Sequence, residues 1–155
     1  MQLDKQVVSL PLAKRLRELG APQGESYFVW ARPFYDKTGK YEVKLMRESS
    51  LAPESDPASK YQMPVAAYTV AELGELLLDV IKIDSAESIF TYHLSMIPFY
   101  GTYRKWWHIS YIDMDDEELI EFTNISMAES CGLMLVWLIE QGYVKWEKGE
   151  KCAQQ

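Results

Sequence analysis

Residues Lys105–Asp113 have the sequence KWWHISYID, which is rich in the aromatic and β-branched side chains that favour β-strands. Successive side chains of a strand point to opposite faces, so Trp107, Ile109 and Tyr111 are predicted on one face. The other face would carry Trp106, His108, Ser110 and Ile112. Because Trp106 and Trp107 must point in opposite directions, they cannot share one core. One of them therefore needs a second cover, which a helix, a loop, another subunit or a ligand would supply.

This strand is predicted to form a hairpin with the segment before it. Ser88–Met96 has the alternation of a strand, and Pro98–Tyr103 contains the proline and glycine that are typical of a turn. An earlier hairpin is predicted from Tyr27–Tyr35 and Tyr41–Met46, joined by a turn at residues 36–40. The sequence thus predicts about four antiparallel strands.

Apolar residues at helical spacing predict three helices, bounded by Ser9–Gly20, Thr69–Ile81 and Ser126–Gly142. Each begins with a serine or threonine that can cap the first turn, and a glutamate three residues later completes a capping box in the last two. Glycine is a natural stop at the end of the first and third helices. Gly74 lies inside the second helix, where glycine is unfavourable, so we expect it to pack closely against another element.

The predicted order is helix, hairpin, helix, hairpin, helix. This order indicates an α+β fold with an antiparallel sheet of about four strands and helices packed mainly on one face. The length of 155 residues suits a single domain, 1–155. Within it, three prolines predict a loop at 48–66, and the polar residues at 145–155 predict a frayed tail.

The composition, with 48% hydrophobic residues, argues against disorder. The net charge of −7 is unevenly distributed: residues 1–66 carry 10 basic and 8 acidic side chains (+2), and residues 67–155 carry 6 and 15 (−9). An acidic second half favours a basic partner and makes nucleic acid an unlikely one. Two cysteines, the absence of a signal-peptide pattern and the absence of a long apolar run predict a cytoplasmic protein without a membrane partner.

Motifs that carry catalysis or bind cofactors are missing from the sequence. It contains no phosphate-binding loop, dinucleotide fingerprint, H-E-x-x-H, C-x-x-C or nucleophile elbow. The sequence therefore predicts no cofactor and no metal, assigns no catalytic residue, and favours a non-enzyme.

The predicted second hairpin carries the residues that could form a binding surface: His93, Trp106, Trp107, His108 and Tyr111. Aromatic side chains anchor protein partners or stack on ligands, and paired imidazoles can exchange protons near neutral pH. The alternative interpretation is structural, with histidines hydrogen-bonded on the sheet and aromatic side chains in the core.

The segment after this hairpin is strongly acidic, with the sequence DMDDEE at 113–118. It resembles a calcium-binding loop but has glutamate at the sixth position, where glycine is required. We expect it to present an acidic patch to a basic partner, formed by Asp113, Asp115, Asp116, Glu117 and Glu118. The alternative is a solvated turn that leads toward the last helix.

Three segments together resemble a family of small proteins of unknown function that is common in bacteriophage and prophage genomes. They are Gln6–Gly20 (QVVSLPLAKRLRELG), Tyr68–Leu77 (YTVAELGELL) and Met134–Val144 (MLVWLIEQGYV), about a quarter of the chain. The 48–66 loop and residues 92–111 depart from the family's pattern. The resemblance implies the cytoplasm of a bacterial host cell, and it implies no activity and no site residue.

Three functions are consistent with these observations. The first is a non-catalytic phage accessory protein that binds a protein partner or associates with itself. The second is a small-ligand binder or minor enzyme with a pocket between the sheet and the 48–66 loop, lined by His93, Trp106, His108 and Tyr111. The third is a nucleic-acid-associated or host-defence-antagonising protein, which would use Lys14, Arg15 and Arg17 or an acidic surface that mimics nucleic acid.

Overall fold

A computed structural model describes residues 6–24, 26–32, 43–51, 64–84, 86, 88–102, 104–147 and 150–153. The helices among these residues are α1 (Leu10–Glu18), α2 (Val70–Leu76) and α3 (Met127–Glu140), with a 3₁₀ turn at Glu48–Ser50. The strands are β1 (Phe28–Ala31), β2 (Lys44–Arg47), β3 (Val65–Ala66), β4 (Val80–Asp84), β5 (Ile89–Tyr100), β6 (Lys105–Ile112), β7 (Glu118–Asn124), β8 (Val144–Glu147) and β9 (Glu150–Ala153). The α+β class predicted from the sequence is confirmed.

The described strands form three antiparallel sheets, in the orders β2-β1-β3, β4-β5-β6-β7 and β8-β9. The sequence predicted one sheet of about four strands. The first predicted hairpin is instead part of the three-stranded sheet, because Trp30 of β1 pairs with Leu45 on one side and with Val65 on the other. The turn predicted at 36–40 and most of the 48–66 loop lie outside the described residues.

Helix α1 ends as predicted at Gly20, which has a φ of +88°, a conformation that glycine adopts without strain. Its beginning differs from the prediction, since the Ser9 side chain caps no backbone N–H. The Ser9 N–H and hydroxyl instead donate to the two carboxylate oxygens of Glu129, at 2.9 and 2.7 Å. Glu129 is the third residue of α3, so this contact joins the beginnings of two helices.

Helix α2 begins with the predicted capping box. Thr69 Oγ1 accepts a hydrogen bond from Glu72 N–H at 3.3 Å, and the Glu72 carboxylate accepts one from Thr69 N–H at 2.6 Å. The helix stops at Leu76 rather than near Ile81, because Leu77 has an extended backbone and Val80 begins β4. The expected close packing of Gly74 is wrong, since a Cβ at this position would meet no atom within 4 Å.

Strand β5 continues through Pro98, where the sequence predicted a turn. Pairing between β4 and β5 ends at His93, and beyond it none of the described strands pairs with that side of β5. Proline lacks an N–H and is tolerated where one side of a strand is an edge, which explains its position here. The backbone turns back only at Gly101, whose N–H donates to Arg104 O at 2.8 Å.

Two further segments form strands that the sequence analysis missed. No strand was predicted at Glu118–Asn124, of which only Glu118 belonged to the predicted acidic segment, yet these residues form β7, with Ile120 opposite Tyr111 and Phe122 opposite Ile109. Residues 144–147 and 150–153 form the antiparallel pair β8–β9, whereas we predicted a frayed tail at 145–155. Val144, which begins β8, is fully buried.

Helix α3 lies at the centre of the core and contacts α1, α2, β6 and β7. Seven of its 14 residues are buried, against three in α1 and one in α2. Helix α1 and the residues just before it pack closely on Gly132, where a Cβ would lie 2.7 Å from Leu12 Cδ2 and 2.9 Å from Val8 Cγ1. No helix in the described part of the chain is long and apolar enough to cross a membrane.

Candidate functional site

One face of the four-stranded sheet, its inner face, packs against the core. In each pair of strands, residues opposite one another lie on the same face of the sheet. The register therefore shows to which face each side chain belongs. Buried Ile81, Ile109 and Tyr111 belong to the inner face. Side chains packed around them on the same face are Ile83, Tyr92, Leu94, Met96, Ile120 and Phe122. Helix α3 therefore covers this face through its contacts with β6 and β7.

The opposite, outer face carries an exposed apolar patch. Ile97 is 46% exposed and Phe99 is 45% exposed, and they lie opposite His108 and Trp106 in the register. Val80 and Ile89 extend the exposed apolar surface at other positions of the same face. The remaining outer-face residues are Lys82, Asp84, Thr91, His93, Ser95, Ser110, Ile112, Glu118, Glu121 and Thr123.

His108 is held in a fixed orientation on the outer face. Its Nε2 lies 2.7 Å from Glu118 Oε1, and its Nδ1 lies 3.2 Å from Thr123 Oγ1 and 3.4 Å from Glu121 Oε2. The Phe99 ring meets the imidazole edge to face, at 5.6 Å between centroids. These neighbours leave the His108 side chain only 13% exposed. The imidazole is thus a fixed polar group beside an apolar patch.

His108, Glu118 and Glu121 form the one group of three or more metal-ligating side chains found among the described residues, with ligand atoms within 4.8 Å of one another. Imidazole nitrogen and carboxylate oxygen are ligands that Zn²⁺ accepts. The two carboxylates, however, face different ring nitrogens. A cation that replaced the Nε2 contact would have His108 and Glu118 as ligands, while Glu121 and Thr123 would hold Nδ1.

His93 lies on the same outer face as His108 but does not meet it. His93 is opposite Ile112, whereas His108 is opposite Ile97, four residues further along β5. This separation corresponds to about 13 Å along the strand. The two imidazoles therefore cannot exchange a proton directly, and each belongs to a different part of the outer face.

The two adjacent tryptophans point to opposite faces, as the alternation of β6 predicts, and both are half-buried. Trp106 lies on the outer face, and its ring covers Gly101, where a Cβ would lie 2.7 Å from the indole carbons. Trp107 lies on the inner face, where the Lys105 ammonium is 4.2 Å from its ring centroid. Trp107 lies at the end of the inner face, and Lys105 from the same strand covers its ring there.

Tyr111 lies in the core and not on the binding surface. It is fully buried on the inner face, and its hydroxyl donates to Leu78 O at 2.5 Å. Burial raises the pKa of this phenol, with a further contribution from the nearby Asp79 charge. The pocket predicted from His93, Trp106, His108 and Tyr111 is therefore not assembled, since Tyr111 is on the other side of the sheet.

The acidic residues 113–117 form the tight turn between β6 and β7, where the sequence analysis expected a turn toward the last helix. Asp113 Oδ1 accepts hydrogen bonds from the N–H groups of Asp115 and Glu117, both at 2.9 Å. Asp116 has a φ of +61°, which short polar residues tolerate in turns. The side chains of Asp115, Asp116 and Glu117 are exposed, whereas Glu118 belongs to β7 and contacts His108.

Sequence analysis missed three residues that matter on the outer face: Ile97, Phe99 and Glu121. Ile97 and Phe99 surround the Pro98 that predicted a turn, and no strand was predicted at Glu121. The available signal was the alternation of Glu121 and Thr123 with Ile120 and Phe122, which is the pattern of a half-buried strand.

Comparisons with known proteins add no family to this description: no family profile matches the chain, and neither a curated protein nor a solved structure is significantly similar to it.

Proposed function

We propose that this chain is a non-catalytic interaction protein that binds a protein partner through the outer face of its four-stranded sheet. The observation that carries the proposal is the contrast between the faces: the helices cover one, and the other exposes Ile97 and Phe99 beside Trp106. Aromatic and aliphatic side chains in the middle of a polar surface are the usual anchors of a protein interface.

The charges around the patch favour a partner whose contact surface combines apolar side chains with lysine or arginine. Glu118 and Glu121 contact His108 beside the patch, whereas Asp115, Asp116 and Glu117 lie in the turn at the other end of β6 and extend the acidic surface there. A second copy of this chain would bring two such acidic surfaces together, within a protein of net charge −7. Like charges oppose that association, whereas a basic surface is attracted and oriented.

The resemblance to phage and prophage proteins belongs to the same proposal. It suggests that the protein acts in the cytoplasm of a bacterial host cell and that the partner is a phage or host protein. No residue of the outer face is assigned a role by the resemblance, since the residues that carry it lie in α1, α2 and α3 and next to them.

Site-specific photo-crosslinking in the cells that express the protein tests the proposal directly. A photoreactive phenylalanine analogue is placed at Phe99 in one variant and at Tyr27 in a control variant. Tyr27 is 72% exposed and precedes β1, so it reports on a different surface. We expect one protein to be cross-linked from position 99 and not from position 27.

Cross-linking from position 27 alone, or from neither position, would contradict the proposal. Cross-linking of a second copy of the chain from position 99 would contradict the assignment of a basic partner and identify the outer face as a dimer interface. Once the partner is purified, its affinity should fall as salt is raised, because exposed carboxylates are screened.

A further inference from the structure

A separate cleft lies between α1 and the three-stranded sheet, and none of its lining residues belongs to the four-stranded sheet. Its volume is about 370 Å³, within the range of pockets that hold small ligands. Apolar side chains line its floor: Leu10, Trp30, Val43 and Val65. Charged side chains form its rim: Lys14, Arg17, Glu18 and Arg32.

The floor of this cleft is a fixed aromatic platform. The Trp30 indole N–H donates to Val8 O at 3.0 Å, which sets the orientation of the ring. Val65 lies opposite Trp30 in the register and is 5% exposed, so a buried residue adjoins the ring on the same face of the sheet. The ring itself is only half-buried and is available for stacking with a planar group.

The rim carries an excess of positive charge that the described residues do not neutralise. Lys14 and Arg17 are one turn apart on α1, and both are exposed, as is Arg32. No described side chain forms an ion pair with any of these three cations.

The one rim carboxylate already has a partner. Glu18 lies 3.5 Å from Arg15, which also binds Glu140 at 2.6 Å. Arg15 is thus directed to α3, and the cations left at the cleft are Lys14, Arg17 and Arg32. Three cations that no described carboxylate neutralises, around an apolar floor, favour a ligand that has both a multiply charged anionic group and an apolar ring.

We propose that this cleft binds a free nucleotide, a nucleoside phosphate whose base stacks on Trp30 and whose phosphates contact Lys14, Arg17 and Arg32. Guanidinium groups bind phosphate through paired hydrogen bonds, and aromatic rings stack on bases of any sequence. The end of a nucleic-acid strand presents the same chemistry, but the cleft has room for a single drug-sized ligand and the chain is acidic overall. The proposed site does not depend on the partner-binding function, because none of its lining residues belongs to the outer face.

Isothermal titration of the full chain with AMP, ADP, ATP and GTP tests the proposal, with inorganic phosphate and adenosine as partial ligands. We expect one of the nucleotides to bind, and to bind at least about tenfold more tightly than either partial ligand, because both halves of the site contribute. The Arg17→Gln and Arg32→Gln variants should each weaken this binding about tenfold, the loss of one charge-assisted contact.

Arg47→Gln is the matched control, since Arg47 is also exposed and does not line the cleft. It should leave the nucleotide affinity within about twofold, a change of less than 0.5 kcal/mol by the standard conversion of about 1.4 kcal/mol per tenfold. Circular dichroism melting confirms that the variants are folded. The absence of binding by every nucleotide, equal weakening by Arg47→Gln, or equal affinity for inorganic phosphate and nucleotide would each overturn the proposal. Loss of the photo-crosslink from position 99 would leave this result unaffected.

Discussion

The two faces of the four-stranded sheet are built by the same strands and differ in what covers them. On β6, buried Ile109 and Tyr111 face helix α3, while Trp106 and His108 point away from it. On β5, the inner Leu94 and Met96 pack against the core, while the outer Ile97 and Phe99 stay about half exposed. The difference teaches that apolar character alone does not mark a core position; the register and the position of the helices decide it.

The largest expected effect is the difference in stability lost when a buried isoleucine and an exposed isoleucine are each replaced by alanine. Ile109→Ala should lower the free energy of unfolding by about 3 kcal/mol, because it removes a fully buried side chain and leaves a cavity. Ile97→Ala makes the same chemical change on the outer face and should cost less than about 0.5 kcal/mol. Urea unfolding measures both, and equal losses would show that the outer face is covered.

Two glycines in helices sharpen the comparison between covered and uncovered positions. Gly132→Ala should destabilise the protein by about 1–2 kcal/mol, because the added methyl group overlaps Leu12 and Val8 where α1 packs on α3. Gly74→Ala should stabilise it by up to about 1 kcal/mol, because α2 gains a better helix former and nothing lies near the added atom. Thermal unfolding of both variants checks these opposite signs, and a loss at Gly74 would contradict the packing described for α2.

The buried thiol of Cys131, in helix α3, should make the free energy of unfolding depend on pH. Burial raises the pKa of Cys131 to about 11, above the value of about 8.5 in an unfolded chain. The unfolded chain therefore loses this proton first as the pH rises, and stability that is fully present below pH 8 declines between pH 8.5 and 11. By pH 10 the wild type should have lost about 1–2 kcal/mol more than Cys131→Ala, relative to each protein at pH 7. Parallel curves in urea unfolding across this range would contradict the burial of the thiol.

Local signals in the sequence were sufficient for the beginning of α2 and the end of α1. The Thr69–Glu72 capping box and the stop at Gly20 involve residues within one or two turns, so their chemistry is visible in the chain itself. Ser9 met the same local rule and still did not cap α1, because its partner is Glu129, 120 residues further along. A contact of that separation cannot be derived from local spacing.

A helix was predicted where strand β4 forms because Leu76–Ile83 is apolar except for Asp79 and Lys82. Helix and strand patterns both fit a short apolar run, and only the alternation of Ile81 and Ile83 with exposed Lys82 and Asp84 distinguishes them. The charge of the 113–121 region similarly concealed the alternation that forms β7.

The candidate site was predictable in part. The sequence identified Trp106 and His108 and placed them on one face, which the register of β6 reproduces. The sequence did not predict that Phe99 and Glu121 lie beside these two residues, because their positions depend on β5 continuing past Pro98 and on β7 being a strand. It also named the cations of α1 only in connection with nucleic acid, whereas their position around the same cleft as Trp30 depends on packing between α1 and β3.

The affinity of the purified partner for two alanine variants tests the role of the outer face most directly. Phe99→Ala removes the exposed ring that contacts His108, and Tyr27→Ala removes a ring of greater exposure from another surface. If the outer face binds the partner, calorimetry should show Kd raised at least about tenfold for Phe99→Ala and within about twofold for Tyr27→Ala, with both variants as stable as the wild type. An unchanged Kd for Phe99→Ala, or an equal loss for Tyr27→Ala, would contradict the assignment of the outer face as the binding surface.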